Sequence, residues 1–326
     1  MLRVLEVTFP VFALVFCGFF GQRWKLLPER AVDGINAFVF YFALPAMLFR
    51  VIATQPLSGF TDLRFALGYG LAGLCIFFFT RAAASDRRSR KEKTAQDHAQ
   101  DRDAISLAMT AAHSNLGYLG IPLILELGQR FAPTIVLAIL CDILCVILMS
   151  IALLEVNRSR SNSNATIHPV RLLGSLLVGL FKSPLIFSIV IGLTWGTIEP
   201  PMPDVMDNFL RILSGAAGPC ALFAIGASLG NRRIELTRTV RSMLVIKLVM
   251  HPALAALILY GVVRAEPESA AIGVLAASLP GASNSFIIAQ RYGVDTREIS
   301  ASIVAGTFIG LITVSTVIWL LGLKTG

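Results

Sequence analysis

Ten apolar runs, each near the length that crosses a lipid bilayer as a helix, follow one another along this chain, and no other feature restricts its fold as strongly. They occupy residues 4–22, 31–53, 63–81, 104–127, 131–154, 183–195, 205–229, 243–263, 270–290 and 299–321. The sixth is short, so it either extends back toward Val170 or begins as an interfacial helix. The first lacks a small-x-small cleavage pattern around Phe16-Cys17-Gly18-Phe19-Phe20 and reads as a mature helix, not a signal peptide. Hydrophobic residues make up 55% of the 326 and charged residues only 15%, more apolar surface than a soluble domain can hide. Lipid gives the backbone no hydrogen-bond partners, so such runs must be helical. The fold class is an all-α, polytopic membrane protein with ten transmembrane helices.

The positive charges orient these helices. With the N-terminus outside, twenty Lys and Arg residues fall on the cytoplasmic side and six on the outer side, which also places the C-terminus outside. The net charge of +8 is then a consequence of topology and calls for no nucleic-acid partner. The connection 82–103, with Asp86-Arg87-Arg88-Ser89-Arg90-Lys91-Glu92-Lys93 at its centre, reads as a solvated or membrane-surface loop. Ser/Asn-rich residues 157–169 read as a linker between halves 1–156 and 170–326, with no evident chemistry at Asn162 or Asn164. The five cysteines lie in apolar segments without metal spacing and behave as small hydrophobes.

The halves repeat. Pro-x-x-Leu-Phe occurs at Pro45 and at Pro219, 174 residues apart, and Gln-Arg-aromatic occurs at Gln129 and at Gln290, 161 residues apart. Their order and similar offsets favour a duplication of five segments. An odd number of spans per copy turns the second upside down, giving two inverted five-helix repeats. The fourth segment is interrupted at Asn115-Leu116-Gly117-Tyr118-Leu119-Gly120-Ile121-Pro122 and the ninth at Pro280-Gly281-Ala282-Ser283-Asn284-Ser285. Broken helices at corresponding places in two halves free backbone groups to hold a solute.

Ionisable residues within the segments are costly, about 2.5 to 3.5 kcal/mol each at the midplane, and need a role. Asp142 lies too deep to snorkel and could carry a coupled proton or pair with a cation. Lys247 could snorkel to the cytoplasmic face, pair with Asp142 or meet an acidic solute. His113 could act as a protonation switch or sit neutral and hydrogen-bonded. Arg50 is expected to snorkel, His251 to serve the kink before Pro252, and Glu126 to end its helix near the outer interface.

The set Ala43-Leu44-Pro45-Ala46-Met47-Leu48-Phe49, Asn115 to Leu123, Ser183-Pro184-Leu185-Ile186, Pro219 to Leu229, and Pro280 to Phe286 with Gln290-Arg291-Tyr292-Gly293 resembles the auxin efflux carrier family, which includes plant auxin carriers and bacterial malonate-type permeases. The resemblance covers nearly the whole chain. It implies a scaffold domain and a transport domain, with helices four and nine crossing at their breaks. The chain lacks the long central loop of the plant carriers, and Ser183 stands where many relatives have Asn. At such a crossover two helix N-termini, each worth roughly half a positive charge, can hold an anion. Asn115 and Asn284, flanked by Ser114, Ser283 and Ser285, add neutral donors, and Tyr118 can bond or stack on the solute; Gly117, Pro122 and Pro280 shape the breaks. Alternatively, the Asn and Ser side chains only cap broken ends.

The function expected is a secondary carrier of a small mono- or dicarboxylate in a bacterial inner membrane. It is compatible with coupling to a proton or sodium ion and with a homodimer. No HExxH, Asp-rich magnesium or Ser/His arrangement points to an enzyme, a metal or a cofactor. A channel or a receptor for a small organic acid is the alternative, separable by saturable uptake.

Overall fold

A computed structural model describes residues 2–55, 60–86, 95–161, 174, 183–198, 201–230 and 235–323. Among them every regular element is helical, apart from one isolated antiparallel bridge between Ser114 and Gly281. The helices are α1 (Leu2–Arg23), α2 (Glu29–Phe38), α3 (Leu44–Ala53), α4 (Leu63–Asp86), α5 (Ala95–Ala112), α6 (Ile121–Leu127), α7 (Ala132–Cys141), α8 (Leu148–Ser161), α9 (Pro184–Ile198), α10 (Asp204–Gly215), α11 (Ala217–Leu229), α12 (Arg238–Val245), α13 (His251–Ala256), α14 (Pro267–Ser278), α15 (Ser283–Arg291) and α16 (Arg297–Leu320).

Several of these are pieces of longer rods joined by wide π-helical turns. Such turns lie at Val39–Ala43, Leu116–Gly120, Asp142–Ile147, Ile246–Met250 and Leu257–Val262. Three of the five lead into a helix with proline in its first two positions, at Pro45, Pro122 and Pro252. A proline ring clashes with the carbonyl four residues back and offers no N–H, and widening the preceding turn relieves both defects without ending the rod. Six continuous rods are long and apolar enough to span a membrane: Arg30–Ala53, Leu63–Ser85, Gln129–Arg158, Asp204–Leu229, Arg238–Val262 and Arg297–Leu320. Phe9–Arg23, Leu116–Leu127 and Pro184–Ile198 are shorter apolar helices, and the expected ninth span is the broken pair α14 and α15.

Both faces of α4 are apolar, as lipid requires of a peripheral helix. Phe65, Tyr69, Ala72 and Ile76 turn inward, while Leu63, Leu67, Leu71 and Phe78 are exposed on the opposite stripe. Small residues set the closest contacts. A Cβ on Gly18 would strike the Phe223 carbonyl and one on Gly226 the Val15 carbonyl, so α1 and α11 touch backbone to backbone. The main core gathers Leu44, Leu119, Leu123, Ile135, Leu222, Leu275 and their neighbours around these contacts.

Two boundaries differ from expectation. The charged connection is helical at both ends, since α4 runs to Asp86 and α5 begins at Ala95, and its residues 87–94 lie outside those described. Helix α8 continues through residue 157 to Ser161, and the remainder of the expected linker, with Asn162 and Asn164, lies outside the described residues. Polar anchoring explains both extensions. Asp101 accepts from Arg81 (3.0 Å) and from Asn157 Nδ2 (3.0 Å), tying α4, α5 and α8 together beyond their apolar lengths. Residues 170–182, into which the sixth segment was extended, are not described apart from Gly174; α9 itself starts at Pro184.

Candidate functional site

α5 stops at Ala112 and α14 at Ser278, and the two breaks meet. The Asn115 N–H donates to the Pro280 carbonyl (2.9 Å) and the Ala282 N–H to the His113 carbonyl (3.2 Å), the two bonds of the Ser114–Gly281 bridge. Glycine is required here because a Cβ on Gly281 would come within 2.9 Å of the Thr110 carbonyl oxygen. From this crossing the chain re-enters helical form at Leu116 and at Ser283. Of the first three amides of each restart, the Leu116 N–H turns back to the Ser114 carbonyl (2.7 Å) and the Ser285 N–H to the Ala282 carbonyl (3.1 Å), and the others have no intrahelical acceptor.

Both restarts border one cavity of about 480 Å³, within the range of small-molecule sites. Its polar end is formed by His113, Asn115, Tyr118, Asp142, Ser283 and Asn284, with Gly117 and Ser183 beside them. Ile139, Ile143, Ile147 and Ile151, spaced by four on the α7–α8 rod, make an apolar wall. Glu155, Arg291 and Tyr292 line the far end, where Tyr292 Oη donates to Glu155 (2.8 Å). Asn115 is buried, yet its side chain makes no capping bond, and the residue just before α15 is Ala282, whose methyl cannot cap. The capping role weighed for Asn115 is therefore not what its side chain does here. Tyr118 reaches back to the Asn36 carbonyl at 3.5 Å, a weak contact.

Three expected residues stand apart from the cavity. Pro122 occupies the second position of α6, past the break, where the π turn Leu116–Gly120 before it relieves its missing N–H and ring clash. Pro280 is buried with its ring against Gly306 and Gly310 of α16. Ser285 is fully buried outside the lining, its hydroxyl without a partner among the described residues.

Behind the polar end lies a buried chain of ionisable groups. Asp142, 2% exposed, accepts through one oxygen from the Ser114 N–H (2.9 Å) and faces His113 Nδ1 across 3.0 Å. Lys247, 4% exposed, donates to Ser114 Oγ (2.6 Å) and to His251 Nδ1 (2.9 Å). Lys247 thus does not snorkel; the π turn at Ile246–Met250 aims it inward, and Ser114 joins it to Asp142. His251 serves as the acceptor for Lys247, four residues earlier on the same face, in addition to preceding Pro252. Arg50, half-exposed near the end of α3, donates through Nε and Nη2 to the two carboxylate oxygens of Asp207 at 2.8 and 3.3 Å. Glu126 is exposed at the end of α6, as expected. Sequence reasoning did not single out Tyr69, whose buried ring places its hydroxyl beside Ser114 and Asp142. The 247/251 spacing is the signal that could have paired Lys247 with His251.

A chain of apolar rods with a solute-sized cavity at the crossing of two broken helices is a multi-pass membrane protein of the transporter type. It belongs to the membrane transport protein family, whose model matches residues 3–320, in agreement with the auxin efflux carrier motifs. The provisionally named malonate transporter of Rhizobium meliloti (strain 1021) is 29% identical over 98% of this chain and 97% of its own length. The uncharacterized transporter YfdV of Escherichia coli (strain K12) is 27% identical over 90% of each chain. Auxin efflux carrier component 8 of Arabidopsis thaliana is 24% identical over 44% of this chain and 41% of its own.

Proposed function

We propose that this protein is a secondary carrier of a small organic anion, a mono- or dicarboxylate, that binds at the crossing of the two breaks and moves by alternating access. The observation that carries the reading is the convergence of two helix restarts, Leu116 and Ser283, with Asn115, Tyr118 and Asn284 on one 480 Å³ cavity. Free amides and the positive ends of helix dipoles suit a carboxylate, and the isoleucine wall suits its short carbon skeleton. The name of the Rhizobium meliloti relative points the same way. In this reading residues 1–156 and 170–326 are inverted copies, both termini face outward from a bacterial inner membrane, and the Arg291 end of the cavity faces the cytoplasm.

Counterflow in proteoliposomes with labelled malonate and other short carboxylates tests it. Saturable exchange of at least one carboxylate is expected. Asn115→Ala and Asn284→Ala should each weaken binding by about 1 to 3 kcal/mol, roughly 5- to 150-fold, the cost of leaving a buried acceptor unpaired. Wild-type affinity in both folded variants would sink the site assignment, and flux that never saturates would favour a channel.

A further inference from the structure

Two buried histidine nitrogens near the crossing have no partner among the described residues, His113 Nε2 and His251 Nε2. They end one continuous chain of contacts, His251 to Lys247 to Ser114 to Asp142 to His113. Of the two histidines, His113 borders the cavity. An ionised carboxylate only accepts, so Asp142 fixes the hydrogen of His113 on Nδ1 and leaves Nε2 as the basic lone pair of the ring.

Charge decides what that lone pair is for. Asp142 and Lys247 cancel within the network, while Asp142 itself borders the cavity. A carboxylate entering alone therefore adds an unbalanced charge to a low-dielectric site, next to a group of its own sign. One proton taken up along with the solute and held at the buried His113 Nε2 makes an imidazolium that Asp142 holds through Nδ1 at the border of the cavity. The loaded site is then neutral overall for a monoanion.

Building on the anion reading above, we propose that His113 is the proton-carrying group of this protein, taking up one proton at Nε2 with each bound carboxylate and releasing it when the solute leaves, with Asp142 as its positioning residue. The other groups facing this pair are Tyr69 from α4, Cys141 and Cys145 on the Asp142 rod, and Lys247 with His251 from the α12–α13 rod. Ser283 and Asn284, which face it from α15, are neutral, and Glu155, Arg291 and Tyr292 stand at the far end of the cavity.

The experiment has two arms on the full-length protein. In detergent at weak buffering near pH 7, 10 mM malonate should draw about one proton per protein out of solution, read with a pH-indicator dye, and His113→Gln should draw none. Asp142→Asn, with His113 still in place, should reduce that uptake. In voltage-clamped proteoliposomes with a one-unit inward pH gradient, wild-type accumulation of labelled malonate should approach tenfold, the ratio set by one proton per solute. His113→Gln should bring the ratio to about one while saturable counterflow persists, slowed. Malonate binding without proton uptake, or His113→Gln vesicles that accumulate malonate like the wild type, overturns the proposal. Absence of carboxylate exchange in the wild type overturns the anion reading on which it rests, an outcome distinct from exchange that proceeds without proton uptake.

Discussion

Replacing Asp142 by Asn removes one charge from a site that is 2% exposed and leaves its shape almost unchanged. The amide oxygen can still accept from the Ser114 N–H and from His113 Nδ1, so the two bonds at 2.9 and 3.0 Å survive as neutral ones, each about half as strong. The larger cost falls on Lys247. Its ammonium, 4% exposed, keeps Ser114 Oγ and His251 Nδ1 as acceptors but loses the anion that balances it, and breaking a buried pair in this way costs about 3 to 5 kcal/mol. At roughly 2 °C per kcal/mol, Tm should fall by about 6 to 10 °C. Adding Lys247→Met removes the orphaned cation and fills its space with an unbranched apolar chain, so Asp142→Asn with Lys247→Met should recover most of that loss, to within about 2 kcal/mol of the wild type. Thermal unfolding of the four proteins of this cycle in one detergent gives the coupling directly. Additive single effects, or a double variant no more stable than Asp142→Asn alone, would refute the claim that Asp142 and Lys247 form one charge unit through Ser114.

Other expectations concern the backbone. Gly226→Ala, which drives a methyl into the Val15 carbonyl, should cost at least about 2 kcal/mol, whereas Gly215→Ala, with nothing within 4 Å, should leave Tm within about 1 °C. Pro122→Ala should leave both stability and transport near wild type, because it stands outside the cavity lining and the π turn before it already accommodates its ring. Pro280→Ala should lower transport more than Tm, since the ring that keeps α14 from running on into α15 is lost while the Asn115 N–H to residue 280 carbonyl bond can persist. Equal exchange rates in the two proline variants would contradict that ranking.

Those features that depend on local chemistry were legible in the sequence. Runs of apolar residues announced the rods, and Gly and Pro announced both breaks, because lipid and the proline ring act on a few neighbouring residues at a time. What depended on a partner far along the chain was not. Lys247 is four residues from His251 but 133 from Ser114, and nothing near it told whether its flexible stem would run outward or inward. Arg50 likewise gave no sign of Asp207, 157 residues on, whose carboxylate it meets. The helical ends of the 82–103 connection were hidden by their charge, which reads as a loop until Arg81, Asp101 and Asn157 are brought together. At the candidate site the breaks, Asn115 and Asn284 were found where the cavity lies, while Pro280 and Ser285 were close in sequence but turned away from it.

The bridge between Ser114 and Gly281 is made of backbone atoms. Nearly any residue can contribute an amide and a carbonyl, so the crossing asks for glycine at 281 and leaves the side chains at 115, 118, 283 and 284 free of structural duty to the bridge. If the cavity holds the solute as proposed, frame and selectivity are written in different atoms. A chain of this design can be given a new solute by changing a handful of cavity side chains without redrawing the helices that carry them, and its breaks can stay fixed while its chemistry drifts.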